Sequence, residues 1–453
     1  MTGTTDWLPL TAGQADFWQE FLFHPDQPVS TVAHCLRLAG PVDEPALARA
    51  ITRTVAESDA LALRFRPLDD GRVLQRVDPA AAPRLLCHDL RGEPAPGEAA
   101  QRIMRADMDA VLDLRRDPLS AQMLLRLGDR EWLWYCRGHH IILDGYGMSL
   151  IEGRVAELYN AATAGGAPGQ PLAPLAPFLA EEAEYAVSPR HAADRAYWAD
   201  YLEGRRAALP VLARGTEDYG TAPLQTGFVP GDDFERRLGA AAEAVGLHWG
   251  DLLALLSAAW LATADPLRPG GEAPLAVWLP YMSRMGSVSA RVPAMVVNII
   301  PLLVRPEPGE DLAALLGRLA ATLRRHRRHG RYRVEELARD CGLPEGQRFH
   351  FTPLVNVMPF APPRFAGLEA RRRVLAAGPG DGFNLTFTAD GLGRGLACGI
   401  EAERGPWGQD FDARARAFED WLRATVATLA EGGQVILGAA GESLHTAREA
   451  AGT

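Results

Sequence analysis

Apolar and polar positions follow two periods along this chain, and the switch between them marks out the elements. Leu47, Ile51 and Val55 recur at helical spacing behind Asp43-Glu44-Pro45, where an Asp cap, an acid and a proline open a helix. Residues 124–127 and 132–135 are apolar runs split by Gly128-Asp129, the pattern of a hairpin. Gly145 and Gly147 lead into an amphipathic segment over 148–159. Residues 161–177 are rich in Ala, Gly and Pro, a linker composition, so the chain is expected to divide into halves 1–170 and 171–453. The second half reads as a polar helix over 179–202, a turn-rich stretch over 214–226 and an apolar helix over 249–264. Strands follow at 276–282 and 295–303, then a helix over 312–329, short strands at 355–357 and 385–388, and a helix over 414–429. Beyond about Gly438 the tail reads as frayed. Strands and helices alternate without a short repeat, which predicts an α/β chain.

Composition narrows the function. The 453 residues are 47% hydrophobic and 23% charged, an ordinary soluble balance. A formal net charge of −10 argues against nucleic acid as a partner. Five cysteines, Cys35, Cys87, Cys136, Cys341 and Cys398, are scattered without a CxxC pair, so a reducing, cytoplasmic setting is expected. Cys136 and His88 have no ligand spacing around them, so no metal site is expected. The first residues have no basic or apolar region of a signal peptide, and the apolar run over 252–264 is too short to span a bilayer. No P-loop and no adenylate-forming signature is present. Gly441-Glu442-Ser443-Leu444 faintly suggests a carrier attachment serine, but it sits in a short polar tail and is discounted.

The chemistry centres on His139-His140-Ile141-Ile142-Leu143-Asp144-Gly145, after the strand-like run 132–136. An imidazole at a strand end can accept or place a proton near neutral pH. An Asp four residues on can hold the loop by an ion pair, and a Gly lets a thioester approach the backbone. A surface or core histidine pair is the competing reading. The full string resembles the signature of nonribosomal peptide synthetase condensation domains. Pro9-Leu10-Thr11-Ala12-Gly13-Gln14 with Phe17-Trp18, Ser58-Asp59-Ala60-Leu61-Ala62-Leu63-Arg64-Phe65, Pro280-Tyr281-Met282-Ser283-Arg284 and Val296-Val297-Asn298-Ile299-Ile300-Pro301-Leu302 are similar to further motifs of that family, in order. The resemblance runs from about residue 9 to about 425. Thr31-Val32-Ala33-His34, residues 139–148, His329-Gly330-Arg331-Tyr332-Arg333 and Asn356-Val357-Met358-Pro359-Phe360 are similar to free-standing amide synthases of the vibriobactin type. The dihydroxybenzoate-accepting domain of enterobactin assembly is a more distant likeness.

The resemblance implies two chloramphenicol-acetyltransferase-like lobes in a V-shaped arrangement, with an active-site tunnel between them. It implies a stand-alone, monomeric enzyme joining a carrier-bound acyl group to a soluble amine, in siderophore or related assembly. The acyl group would be an aryl acid such as dihydroxybenzoate or salicylate. No cofactor is expected to be bound. The phosphopantetheine arm of a separate acyl carrier protein would bring the thioester. His140 is then the proton-handling residue, His139 a structural one, and Gly145 the approach point for the thioester. Asp144 is expected to pair with Arg284 and to be no base, because a carboxylate beside an arginine has a depressed pKa. Trp278 is either core or tunnel wall on the acceptor side. Asn356 is a structural hydrogen bonder or a substrate contact, and Asn298 is a similar case that leans structural. The basic run 324–333 is either a solvated helix end favoured by the dipole or a surface for an acidic carrier, through Arg327, Arg328 and Arg331. Rival readings are an ester-forming enzyme with an alcohol acceptor, a coenzyme-A-dependent acyltransferase, an epimerisation domain and a non-catalytic docking platform. A heterocyclisation domain is disfavoured, since it carries aspartate in place of both histidines.

Overall fold

A computed structural model describes residues 7–219, 221–264, 273–307, 309–378 and 380–437. The frayed tail and the Gly441–Leu444 string lie outside these residues. Helix Glu44–Glu57 begins where the capping residues place it, with the Asp43 side chain accepting from the Ala46 N–H at 2.9 Å. Its Leu47, Ile51 and Val55 stripe is buried. The predicted hairpin is the strand pair Ser120–Arg126 and Glu131–His139. Apolar helix Trp249–Ala264 lies in the core almost all round, so its lack of a polar face is explained by burial.

Two sheets organise the molecule. The first has five strands in the order Glu369–Ala377, Thr31–Ala39, Glu131–His139, Ser120–Arg126, Leu85–Asp89, antiparallel except for the last pair. The second has six, Asn298–Val304, Leu275–Tyr281, Leu354–Met358, Phe383–Thr388, Ala397–Ala402 and Leu224–Phe228, with the third strand parallel to both its neighbours. Each sheet backs onto its own apolar core, giving the two α/β lobes of the expected fold.

The expected division at 170/171 is not a clean cut. Glu369–Ala377 comes from the second half yet pairs along Thr31–Ala39 in the first lobe's sheet. Leu175 and Phe178, and later Val292, Ala294 and Val296, also pack into the first lobe's core. The helix expected over 179–202 is two helices, Leu175–Ala186 and Pro189–Tyr201. Pro189 cannot donate the N–H a continuous helix needs, and Ser188 caps the second helix by accepting from the His191 N–H at 3.2 Å. Among the described residues no single helix is long and apolar enough to cross a membrane.

Candidate active site

Strand Glu131–His139 runs buried between two neighbours and delivers the histidine pair to the rim of the first sheet. The chain then turns, and Asp144 opens helix Gly145–Thr163 by accepting from the Gly147 N–H at 2.7 Å. The two histidines part at this turn. His139 faces inward. Its N–H donates to the Leu119 carbonyl at 2.8 Å and its Nδ1 accepts from the Ile141 N–H at 3.1 Å. Burial, with His140 and Arg137 nearby, pushes its pKa down to about 3, so it is a neutral fastener of the turn.

His140 faces a cavity of about 210 Å³ lined from both lobes, by Phe17 and Gly145 on one side and Met282, Asn356 and Met358 on the other. Its backbone N–H donates to the Ser30 carbonyl at 2.7 Å. Its ring stacks on Phe17, with centroids 4.8 Å apart and planes 14° from parallel. Nδ1 makes no hydrogen bond of normal geometry among the described residues. Burial lowers its pKa, opposed by the charge of Asp144, so the ring is neutral at physiological pH. Gly378 passes this ring so closely that a Cβ there would collide with it, and its φ of +96° suits glycine.

Asp144 is fully committed. Both its oxygens accept from Arg284 Nη2 at 2.9 Å, and Oδ2 also accepts from the Val296 and Val297 N–H groups at 2.9 Å. Burial alone would raise its pKa, but the Arg284 charge and these N–H bonds outweigh it and hold the carboxyl below its ordinary value. The same bonds explain why the strand expected from 295 begins at Asn298: Val296 and Val297 spend their N–H groups on Asp144. Arg284 further donates to the carbonyls of Ser289, Val292 and Ala294 at 2.6–2.7 Å, and its guanidinium lies 4.8 Å over the Tyr146 ring. The pair therefore pins residues 284–297 to the first lobe.

A Condensation domain family model matches residues 4–370. The chain belongs to the condensation domain family. It is 37% identical over 410 residues to an isonitrile lipopeptide synthase of Streptomyces coeruleorubidus, covering 88% of this chain and 27% of that protein. It is 32% identical to enterobactin synthase component F of Escherichia coli (strain K12), covering 84% of this chain and 30% of that one. The chain thus spans less than a third of these relatives. Among solved structures, VibH, described as an NRPS condensation enzyme, superposes with a TM-score of 0.81 at 32% identity, covering 92% of this chain and 96% of that one. A starter condensation domain of rhizomide synthetase, in complex with C8-CoA and Leu-SNAC, superposes with a TM-score of 0.78 at 29% identity, covering 97% and 96%.

Within this condensation domain, several expected positions shift. Asn356 lines the cavity, as a substrate contact requires. Trp278 does not. It is 0% exposed in the second lobe's core, packed against Phe349 and Phe351, and it is Phe351 that reaches the cavity. Asn298 is structural: its amide donates to the Gly330 and Tyr332 carbonyls at 2.8 Å and accepts from the Val334 N–H at 3.1 Å. The basic run is only partly free. Arg331 pairs with Glu181 and Glu182 at 2.9 Å and covers Tyr185, and Arg327 pairs with Asp251 at 2.9 Å. Arg328 is exposed and has no ion pair among the described residues. Asp381, with His350 and Glu403, has ligand spacing, but both its oxygens accept from Arg348 at 2.6 and 2.8 Å, which makes the cluster an ion-pair site. Phe17 and Gly378 were missed by sequence reasoning. Phe17 sits inside a recognised motif, so a signal was present; Gly378 follows an unremarkable Ala376-Ala377 and gave none.

Proposed function

We propose that this chain is a condensation enzyme that transfers an acyl group from a carrier-bound phosphopantetheine thioester to a soluble amine, forming an amide. The observation that carries this reading is a neutral His140 ring held at the wall of a cavity that both lobes line. The acyl thioester would approach the backbone at Gly145, where a Cβ would meet only Met358 at 3.7 Å. The amine must lose a proton as it attacks the carbonyl, and a neutral imidazole can take it. Such help is typically worth about 10²–10⁴-fold, with orientation in the cavity supplying much of the rest. Asp144 stays an ionised tether, since its lone pairs are already occupied.

The finer donor reading is a hydroxylated aryl acid, in siderophore assembly, supported by the relatives named for enterobactin and vanchrobactin synthesis. A second donor reading, an acyl group on coenzyme A, is supported by the starter-domain complexes with C8-CoA. Turnover of matched carrier-borne and CoA-borne thioesters with one amine, by the native protein and by His140→Ala, tests both. Amide formation from the carrier thioester that drops in the variant supports the first reading. Equal or better use of the CoA thioester replaces it with the second.

A further inference from the structure

His34 is a second imidazole of the chamber, outside the histidine motif. It lies on Thr31–Ala39, opposite Cys136 on one neighbouring strand and Val374 on the other. It is 4% exposed and lines the cavity, as do Val32 and Val374. Its Nδ1 lies 2.7 Å from Oε1 of Glu152, a fully buried carboxylate on Gly145–Thr163. Oε2 of Glu152 accepts from Nε of Arg372 at 2.7 Å, and Arg372 also donates to the Phe360 carbonyl at 2.5 Å. Three elements thus converge to fix one ring: the first-lobe strand, the motif helix and the crossover strand.

The arrangement sets the chemistry of the free nitrogen. Burial alone would raise the Glu152 carboxyl, but His34 and Arg372 together hold it below its ordinary value, so it is an acceptor. Nδ1 of His34 donates to it, which leaves Nε2 as the ring nitrogen open to a ligand. Nε2 has no hydrogen-bond partner among the described residues. The Arg372–Phe360 bond brings this group under the Met358–Phe360 segment, whose Met358 and Phe360 side chains are apolar cavity walls. A single open ring nitrogen among apolar walls matches a hydroxyl group, which can donate to it or accept from it. An ammonium would lose more hydration there than a single ring nitrogen returns.

We propose that His34, fixed by Glu152 and Arg372, forms a hydrogen bond through Nε2 with a hydroxyl on the acyl donor and so selects hydroxylated acyl groups. This deepens the acyl-transfer reading above and rests on it. A site built to bond a substrate hydroxyl rejects the analogue that lacks it far more strongly than an apolar pocket rejects an extra one.

The experiment measures kcat/KM for salicyl against benzoyl thioesters, and 3-hydroxyoctanoyl against octanoyl, on one carrier protein with one amine. The native protein should favour the hydroxylated member of at least one pair by about tenfold or more. His34→Phe should bring that ratio to near one, and His34→Gln, which keeps an acceptor, should restore part of it. A ratio equal in native and variant protein, or a His34 effect on the choice among amines and none among donors, overturns the inference. If neither variant folds, the ¹⁵N shift of His34 Nε2 decides. It should move when a hydroxylated thioester is added and not when the plain one is; the same response to both overturns the inference. Absence of amide from every donor defeats the acyl-transfer reading itself, an outcome distinct from equal ratios.

Discussion

His139 and His140 share a sequence position in all but one step, and their surroundings separate them. His140 meets the cavity, so His140→Ala is expected to lower acyl transfer by at least about tenfold with the melting temperature nearly kept. Native turnover in a folded variant would remove it from the mechanism. His139 offers a different readout. Its pKa falls from an ordinary 6.5 to about 3 in the folded protein. A depressed folded value means the unfolded chain takes up the proton first. The stability this gives is complete above pH 6.5 and is lost as pH falls from there toward 3. Unfolding free energy should therefore drop by about 2 kcal/mol between pH 6.5 and 5 on account of this residue alone. His139→Asn, which keeps an acceptor for the Ile141 N–H, should have a flatter pH dependence by about that amount. Denaturant titrations at the two pH values check it, and parallel slopes would refute it.

At the scale of elements, the loop 284–297 and the crossover strand are the pieces that hold the site together. Arg284→Met would strip Asp144 of its counter-ion inside a buried pocket and leave three carbonyls without their donor. Losing one partner of a buried pair typically costs about 3–5 kcal/mol, so this variant is expected to be among the most destabilising single changes near the site. A denaturation midpoint close to the native one would show that the pair is not structurally needed. Gly378→Val would set a side chain against the His140 ring and force a β-branched residue to a φ of +96°. The expected result is a loss of turnover larger than that of Gly391→Val, where a Cβ meets nothing within 4 Å. The helix break at Ser188-Pro189 and the late start of strand Asn298–Val304 belong to the same scale. The first was readable from proline's missing N–H. The second was not, because the N–H groups of Val296 and Val297 are taken by a carboxylate about 150 residues away.

For the whole molecule, the proposed carrier-borne donor calls for a docking surface near the cavity. Two of the three arginines first singled out are spent on intramolecular pairs, Arg327 on Asp251 and Arg331 on Glu181 and Glu182. Arg324, Arg325 and Arg328 are the exposed remainder of the run. Replacing these three with glutamine is expected to lower kcat/KM for a carrier-borne thioester severalfold at low salt, with the difference shrinking as salt rises, because such attraction is screened over about 8–10 Å. An N-acetylcysteamine thioester of the same acid serves as the reference. If carrier-borne and reference substrates respond alike, this face is a solvated helix end and nothing more.

What the sequence by itself determined was most of the local structure. Capping residues, helical stripes and apolar runs marked Glu44–Glu57, the hairpin into His139, Trp249–Ala264 and Leu312–Arg328, since hydrogen bonds and side-chain periods within a few residues decide them. The histidine motif and the Asp144–Arg284 pair were legible because both segments resemble motifs of the family, which place those residue types together. The tertiary structure decided what depends on neighbours far along the chain. It sent Glu369–Ala377 across to the first sheet, buried Trp278 behind Phe351, turned Asn298 into a brace, consumed Arg331 in ion pairs and tied His34 to Glu152 and Arg372. A side chain's role follows from what fills the space around it, and that space is assembled from segments whose spacing in the sequence says nothing of their contact.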